Sequence, residues 1–195
     1  MTRSKDQTLK TDLLERATVY VLEHGFSGLS LRPLADGIGS SARMLIHHFG
    51  SKEALLGLIV EHIEFQYLAL SDQMLEQEGS PVRMLEKLWE TLTLPANKPF
   101  QRSTFELWGY ALMNPTGFER LTENLVSAWV TRFSIGFVRA GLKRKRADVL
   151  ATLTVATVEG LLLQRLTVNH DSHSQAAFKQ FVRWLEFTLS EEVSK

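Results

Sequence analysis

Apolar residues recur at three- and four-residue spacings along most of the chain, and the breaks in that rhythm divide it into helices. Leu9, Leu13, Ala17, Tyr20 and His24 form a first buried stripe, and Gly25 stands just past it, where a left-handed residue ends a helix. Ser30 is placed to cap a second helix, with Pro33 in the first turn, where its missing N–H does no harm. Leu34, Ala35 and Ile38 then face inward, and Gly37 and Gly39 supply a tight turn. A third helix is expected from Ser41 to Phe49. Ser51 caps a long fourth helix that runs through Leu55, Leu58, Ile59, His62, Phe65 and Ala69 to about Glu78, with Glu53 on the favourable side of its dipole. Gly79-Ser80-Pro81 breaks it. Further helices are expected at about 81–94, 100–114, 117–140, 147–170 and 174–192, bounded by Pro95, Pro99, Asn114-Pro115 with Gly117, Gly141 and the polar run Asn169-His170-Asp171-Ser172. Nothing alternates with period two for long enough to build a sheet. The expected fold is all-α, a three-helix head joined to a larger helical body.

Within the head, a short helix, a glycine turn and a second short helix follow one another between Ser30 and Glu53. That order holds one helix across another so that the second can enter the major groove of DNA. Successive side chains on a helix rotate by roughly 100°. Leu45 and Phe49 lie one turn apart and anchor the third helix on the core, while Arg43 and His47 share the opposite side and reach toward base edges. An arginine there can donate two hydrogen bonds to guanine O6 and N7. Met44 and Ile46 flank these two, and His48 lies nearer the buried stripe, as a packed histidine or a phosphate donor. Arg32 and Lys52 stand at helix starts, suited to phosphate contacts that position without reading sequence.

The pattern over roughly residues 9 to 60 resembles the DNA-binding end of the TetR family of transcriptional regulators. The family's Ile-Ala, Gly-Val-Ser turn, Leu-Tyr-Tyr-His-Phe and Ser-Lys-Glu are matched by Leu34-Ala35, Ile38-Gly39-Ser40-Ser41, Leu45-Ile46-His47-His48-Phe49 and Ser51-Lys52-Glu53. Framework positions match and reading positions differ: Arg43-Met44 replace a Gly-Thr pair, Ile46 and His47 replace two tyrosines, and Ser40 replaces a valine. The resemblance implies DNA contact by Ser30, Arg32, Ser41, Ala42, Arg43, Met44, His47, His48 and Lys52. It also implies a head at 1–52, a body at 53–195, and repression of a palindromic operator, relieved when a small ligand binds the body. The alternative is the same head with a body that binds a protein partner or nothing.

Composition adds bounds. The chain has 195 residues and 44% hydrophobic content, enough to bury a real core in both parts. It has no cysteine, so neither a disulfide scaffold nor a thiolate metal site is expected. No uninterrupted apolar run long enough to cross a bilayer was evident, nor the apolar core of a signal peptide, so a soluble, cytoplasmic protein is expected. Net charge is zero, but residues 1–52 carry seven Lys or Arg against five Asp or Glu, a bias in the direction phosphate binding requires. Lys143-Arg144-Lys145-Arg146, the most basic run, is expected to be a solvated turn.

The body carries large apolar residues at helical spacing: Trp89, Phe105, Trp108, Met113, Trp129, Phe133 and Phe137. Most serve a core. The resemblance implies an effector pocket among them, lined by Trp89, Phe105, Trp108, Tyr110, Met113, Trp129, Phe133 and Gln164, with Asn114 and Asn124 as further polar groups. Few charges on these helices point to a largely apolar effector. The last two helices carry Leu150, Leu153, Thr157, Leu161 and Gln164 or Arg165, then Phe178, Phe181, Val182, Leu185 and Leu189, and the resemblance implies a homodimer through them. No cofactor, metal or enzymatic activity is expected. Neighbouring His47 and His48 point about 100° apart and are not expected to share an ion. His170-Asp171-Ser172-His173 is expected in a turn without a converging partner set.

Overall fold

The computed structural model describes residues 2–25, 29–113, 119–168 and 171–193, apart from the side chains at some helical positions. Every long element among them is an α-helix: α1 (Thr2–His24), α2 (Leu31–Gly37), α3 (Ala42–Phe49), α4 (Lys52–Glu78), α5 (Pro81–Thr93), α6 (Lys98–Met113), α7 (Glu119–Arg139), α8 (Arg144–Val168) and α9 (Asp171–Val193), with one 3₁₀ turn at Pro95–Asn97. The chain divides into two compact units, one of residues 1–66 and 99–122, the other of residues 67–98 and 123–195.

The first unit buries Leu13, Ala17 and Val21 of α1, a row spaced by one turn, together with Leu34, Ala35 and Ile38, Leu45 and Phe49, and Leu55, Leu56, Ile59 and Ile63 of α4. The α1 stripe is therefore rotated from the expected one. Leu9 is 38% exposed, and His24 is exposed. His24 instead stacks on Tyr20, ring centroids 4.0 Å apart. Phe65, expected on the buried stripe of α4, is exposed, and Ile63 takes the inward place. Both departures have one cause: a three-or-four spacing fits two adjacent faces, and only tertiary packing selects between them.

In the second unit, α5 is capped by Ser80, whose hydroxyl accepts from the Arg83 N–H at 3.4 Å, and Pro81 opens its first turn. Its buried row ends at Trp89, which stacks on Phe178 of α9 with centroids 4.3 Å apart. The Trp89 indole N–H donates to Gln175 Oε1 at 2.7 Å, so the polar edge of this large ring is satisfied as it is buried. Arg165 ties α8 to the start of α9 through Asp171, at 3.1 Å, and holds that carboxyl below the usual range.

The long pair α8 and α9 corrects three expectations. The basic run is solvated but mostly helical: Lys143 precedes α8, Arg144, Lys145 and Arg146 form its first turn, and Arg146 pairs with Glu192 of α9 at 2.7 Å. Asp171, Ser172 and His173 likewise form the first turn of α9, while His170 lies outside the described residues. Leu150, Leu161, Phe178, Val182 and Leu185, expected on a dimer surface, close the unit's own core. A second apolar row stays in solvent. Val149, Leu153 and Leu163 are 44–46% exposed, with Ala156 and Gly160 exposed between them on the same four-three spacing. On α9, Trp184 and Phe187 are exposed as well. With apolar residues on both faces, α8 reaches a mean hydropathy of 1.4 over 18 residues, long and apolar enough by composition to cross a bilayer, although Glu159 interrupts the apolar run. Its inner stripe packs on α9 as a core helix does.

Candidate nucleic-acid interface

The presentation of α3 starts with how α2 ends. The Ser40 N–H reaches back to Ala35 O at 2.8 Å and the Gly39 N–H to Asp36 O at 3.2 Å, a Schellman closure. It requires a left-handed residue, and Gly39 has φ +64°. From α1, Arg16 donates to Ile38 O at 2.7 Å and so holds the turn from outside while pairing with Asp12 at 2.6 Å. Gly37 serves a different purpose from the expected one. Its backbone is helical, and a Cβ there would lie 2.3 Å from the Tyr20 ring, so the glycine lets α2 approach α1.

Ser41 then caps α3, its hydroxyl accepting from the Met44 N–H at 3.2 Å. Ser51 repeats the device for α4, accepting from Ala54 N–H at 3.0 Å. Between the two caps, Leu45 and Phe49 are 1% and 6% exposed, and the Lys10 ammonium lies 5.6 Å from the Phe49 ring centroid. Arg43 and His47 are exposed on the other side, Met44 and Ala42 are half-buried, and Ile46 is exposed. Arg32 and Ser30 are exposed and Lys52 half-buried. Ser30 occupies the N-cap position of α2 with no side-chain bond to the helix.

His48 departs from the exposed Arg43 and His47. Its ring is 3% exposed and its Nδ1 faces Asp6 Oδ1 of α1 at 3.7 Å. The His47 and His48 rings meet edge to face with centroids 5.0 Å apart. The rotation of 100° separates Cβ directions, whereas the ring nitrogens lie farther out and converge with the Asp6 carboxylate. Asp6 and Arg16 were not legible as partners, since both act across more than twenty residues of sequence on groups that no local spacing connects.

The residues expected to line an effector pocket are spread across both units. Phe105 and Trp108 meet edge to face on α6, 5.5 Å between centroids. Trp108 Nε1 and Ser103 Oγ, also on α6, are buried without a hydrogen-bond partner among the described residues. Met113 is 82% exposed, and Gln164 is exposed. In the second unit Phe133 is buried against Phe137, Trp129 is half-buried, and Trp89 is committed to the α5–α9 contact. The side chains of Tyr110 and Asn124, and all of Asn114, lie outside the described residues.

Residues 13–59, which span α1 to the start of α4, match the family model of bacterial regulatory proteins, tetR family. The chain is 47% identical over 53 residues to the HTH-type transcriptional regulatory protein RaaS of Mycobacterium tuberculosis, a match covering 27% of this chain and 24% of that protein's length. A TetR transcriptional regulator from Legionella pneumophila has a similar structure, with TM-score 0.71 and 16% identity over 89% of this chain and 95% of its own. A transcriptional regulator from Rhodococcus sp. Rha1 gives TM-score 0.69 and 19% identity over 95% and 96%. At that identity the two structures speak for the fold alone, over 89% and 95% of the chain, and the head carries the closer sequence kinship.

Proposed function

We propose that this chain, which belongs to the TetR family through its N-terminal domain, regulates transcription as a homodimeric repressor that reads a palindromic operator with α3. The observation that supports this most is the two-faced character of α3: Leu45 and Phe49 are locked in the core while Arg43 and His47 project from a helix capped by Ser41 at its start and closed at its end by the Gly50 N–H on Ile46 O. A helix so fixed offers its outer side chains at little entropic cost. Arg43 supplies a fork that matches guanine, His47 a second polar reader, and Arg32 and Lys52 the phosphate contacts.

The dimer rests on the exposed rows of α8 and α9. Val149, Leu153, Ala156, Gly160 and Leu163 on one helix and Trp184 and Phe187 on the other form apolar stripes that a second copy would bury. Gly160, with open space where a Cβ would stand, permits close helix approach. The effector is a small, largely apolar molecule with at least one hydrogen-bond acceptor, for which the unpaired Trp108 N–H and Ser103 hydroxyl of α6 are the waiting donors. Such a ligand shifts DNA affinity only by favouring one arrangement of the heads over another. The single helix α4, which starts at Lys52 beside the groove and ends at Glu78, is the element available to carry that difference.

The test is selection by the full chain from a random pool of duplex DNA. An inverted repeat with half-sites about one helical turn apart or somewhat more, bound more weakly as salt rises, is expected. A pool with no symmetric motif would contradict the dimeric reader.

A further inference from the structure

We propose that Asp6 of α1 and His47 and His48 of α3 form a binding site for a divalent transition-metal ion, Zn²⁺ in the first instance. Each residue offers one ligand atom, and the three atoms lie within 4.8 Å of one another. Tetrahedral zinc with bonds of about 2.1 Å sets its ligand atoms roughly 3.4 Å apart. Closing the remainder takes only side-chain rotation at Asp6 and His47, both exposed. Two imidazoles and a carboxylate are a donor set for zinc and its first-row neighbours rather than for Mg²⁺ or Ca²⁺, which take oxygen. Three protein ligands leave a fourth position for water.

A second observation points the same way. The His48 ring is 3% exposed, its Nδ1 lies 3.7 Å from Asp6 Oδ1, beyond hydrogen-bond distance, and its Nε2 is buried with no partner among the described residues. A nearly buried imidazole nitrogen without a hydrogen-bond partner among the described residues is costly unless something else engages it. An ion held by one nitrogen of His48, with His47 and Asp6 as its other ligands, engages the ring at that nitrogen. It also joins the start of α1 to the helix proposed to read DNA. Where that reading holds, the ion withdraws His47 from the groove, so metal and operator compete.

The untagged, metal-free full chain titrated with Co²⁺ tests the site without DNA. One equivalent per chain should bind with visible ligand-field absorption and be displaced by Zn²⁺. Asp6→Asn and His47→Gln should each weaken binding about tenfold or more, while His62→Gln on α4 should leave it unchanged. His48→Gln should abolish it, and if that variant fails to fold, the two exposed positions decide. Absence of a saturable one-equivalent signal, or equal affinity in Asp6→Asn, His47→Gln and the unmodified chain, would overturn the site. With a selected operator, Zn²⁺ should weaken DNA binding several-fold in the unmodified chain and not in His47→Gln. Equal effects in both would overturn the competition while leaving the metal titration to stand by itself.

Discussion

Single residues in this chain show how much environment adds to residue type. Glu159 sits half-buried on α8, and burial pushes its carboxyl up to about 7 from the ordinary 4.5. Below about pH 4.5 both folded and unfolded chains hold the proton, and the residue costs nothing. Between 4.5 and 7 only the folded chain keeps it, so stability falls as pH rises, and above about 7 the loss is complete. Solvent screening reduces the effect, to the order of 1 kcal/mol. Glu159→Gln should therefore raise the melting temperature by a few degrees at pH 8 and change it little at pH 4, as thermal denaturation at the two pH values would record. Asp148 moves the opposite way. The Ser134 hydroxyl, against an opposing effect of burial and with help from Arg144, holds its carboxyl below the usual range.

At the scale of elements, turn chemistry decides what α3 can do. Gly37→Ala gains helix propensity of up to about 1 kcal/mol, yet the new Cβ would stand 2.3 Å from the Tyr20 ring. Ring displacement should outweigh the gain, for a net loss on the order of 1–2 kcal/mol in denaturant unfolding. An unchanged or raised midpoint would mean that Tyr20 yields freely. The helices themselves were nearly all legible in the sequence, because Gly25, Ser41, Ser51 and Gly79-Ser80-Pro81 act through local backbone and cap geometry. The faces were less so. Leu9, His24 and Phe65 satisfied helical spacing and still lie outside, since spacing alone does not say which of two neighbouring rows meets a partner helix. At the candidate interface, Arg43, His47, Leu45 and Phe49 fell where rotation by residue put them. Asp6, Arg16 and the buried state of His48 depend on α1 crossing α3 and the turn, which no short window contains.

Under the proposed reading the whole molecule works as two copies, because one α3 would meet only half of a palindromic operator. On α8 the inner row, Leu150 and Leu161, and the outer row, Leu153 and Leu163, differ in exposure and so in consequence. Leu153→Arg should leave helix content intact, convert the dimer to monomer in sedimentation, and weaken operator binding at least tenfold, since a charged pair across the two-fold would be buried without a partner. Leu150→Ala should instead destabilise the fold by about 2–5 kcal/mol. The central claim, that the outer face of α3 reads bases, is tested most directly by parallel selection from random DNA with the unmodified chain, Arg43→Ala and Lys52→Ala. Arg43→Ala should keep the half-sites and their spacing but lose preference at one base pair in each, at a cost of about 1–3 kcal/mol. Lys52→Ala should weaken all sequences alike and flatten the salt dependence. An Arg43→Ala protein that selects the same motif as the unmodified chain with undiminished preference would contradict the claim.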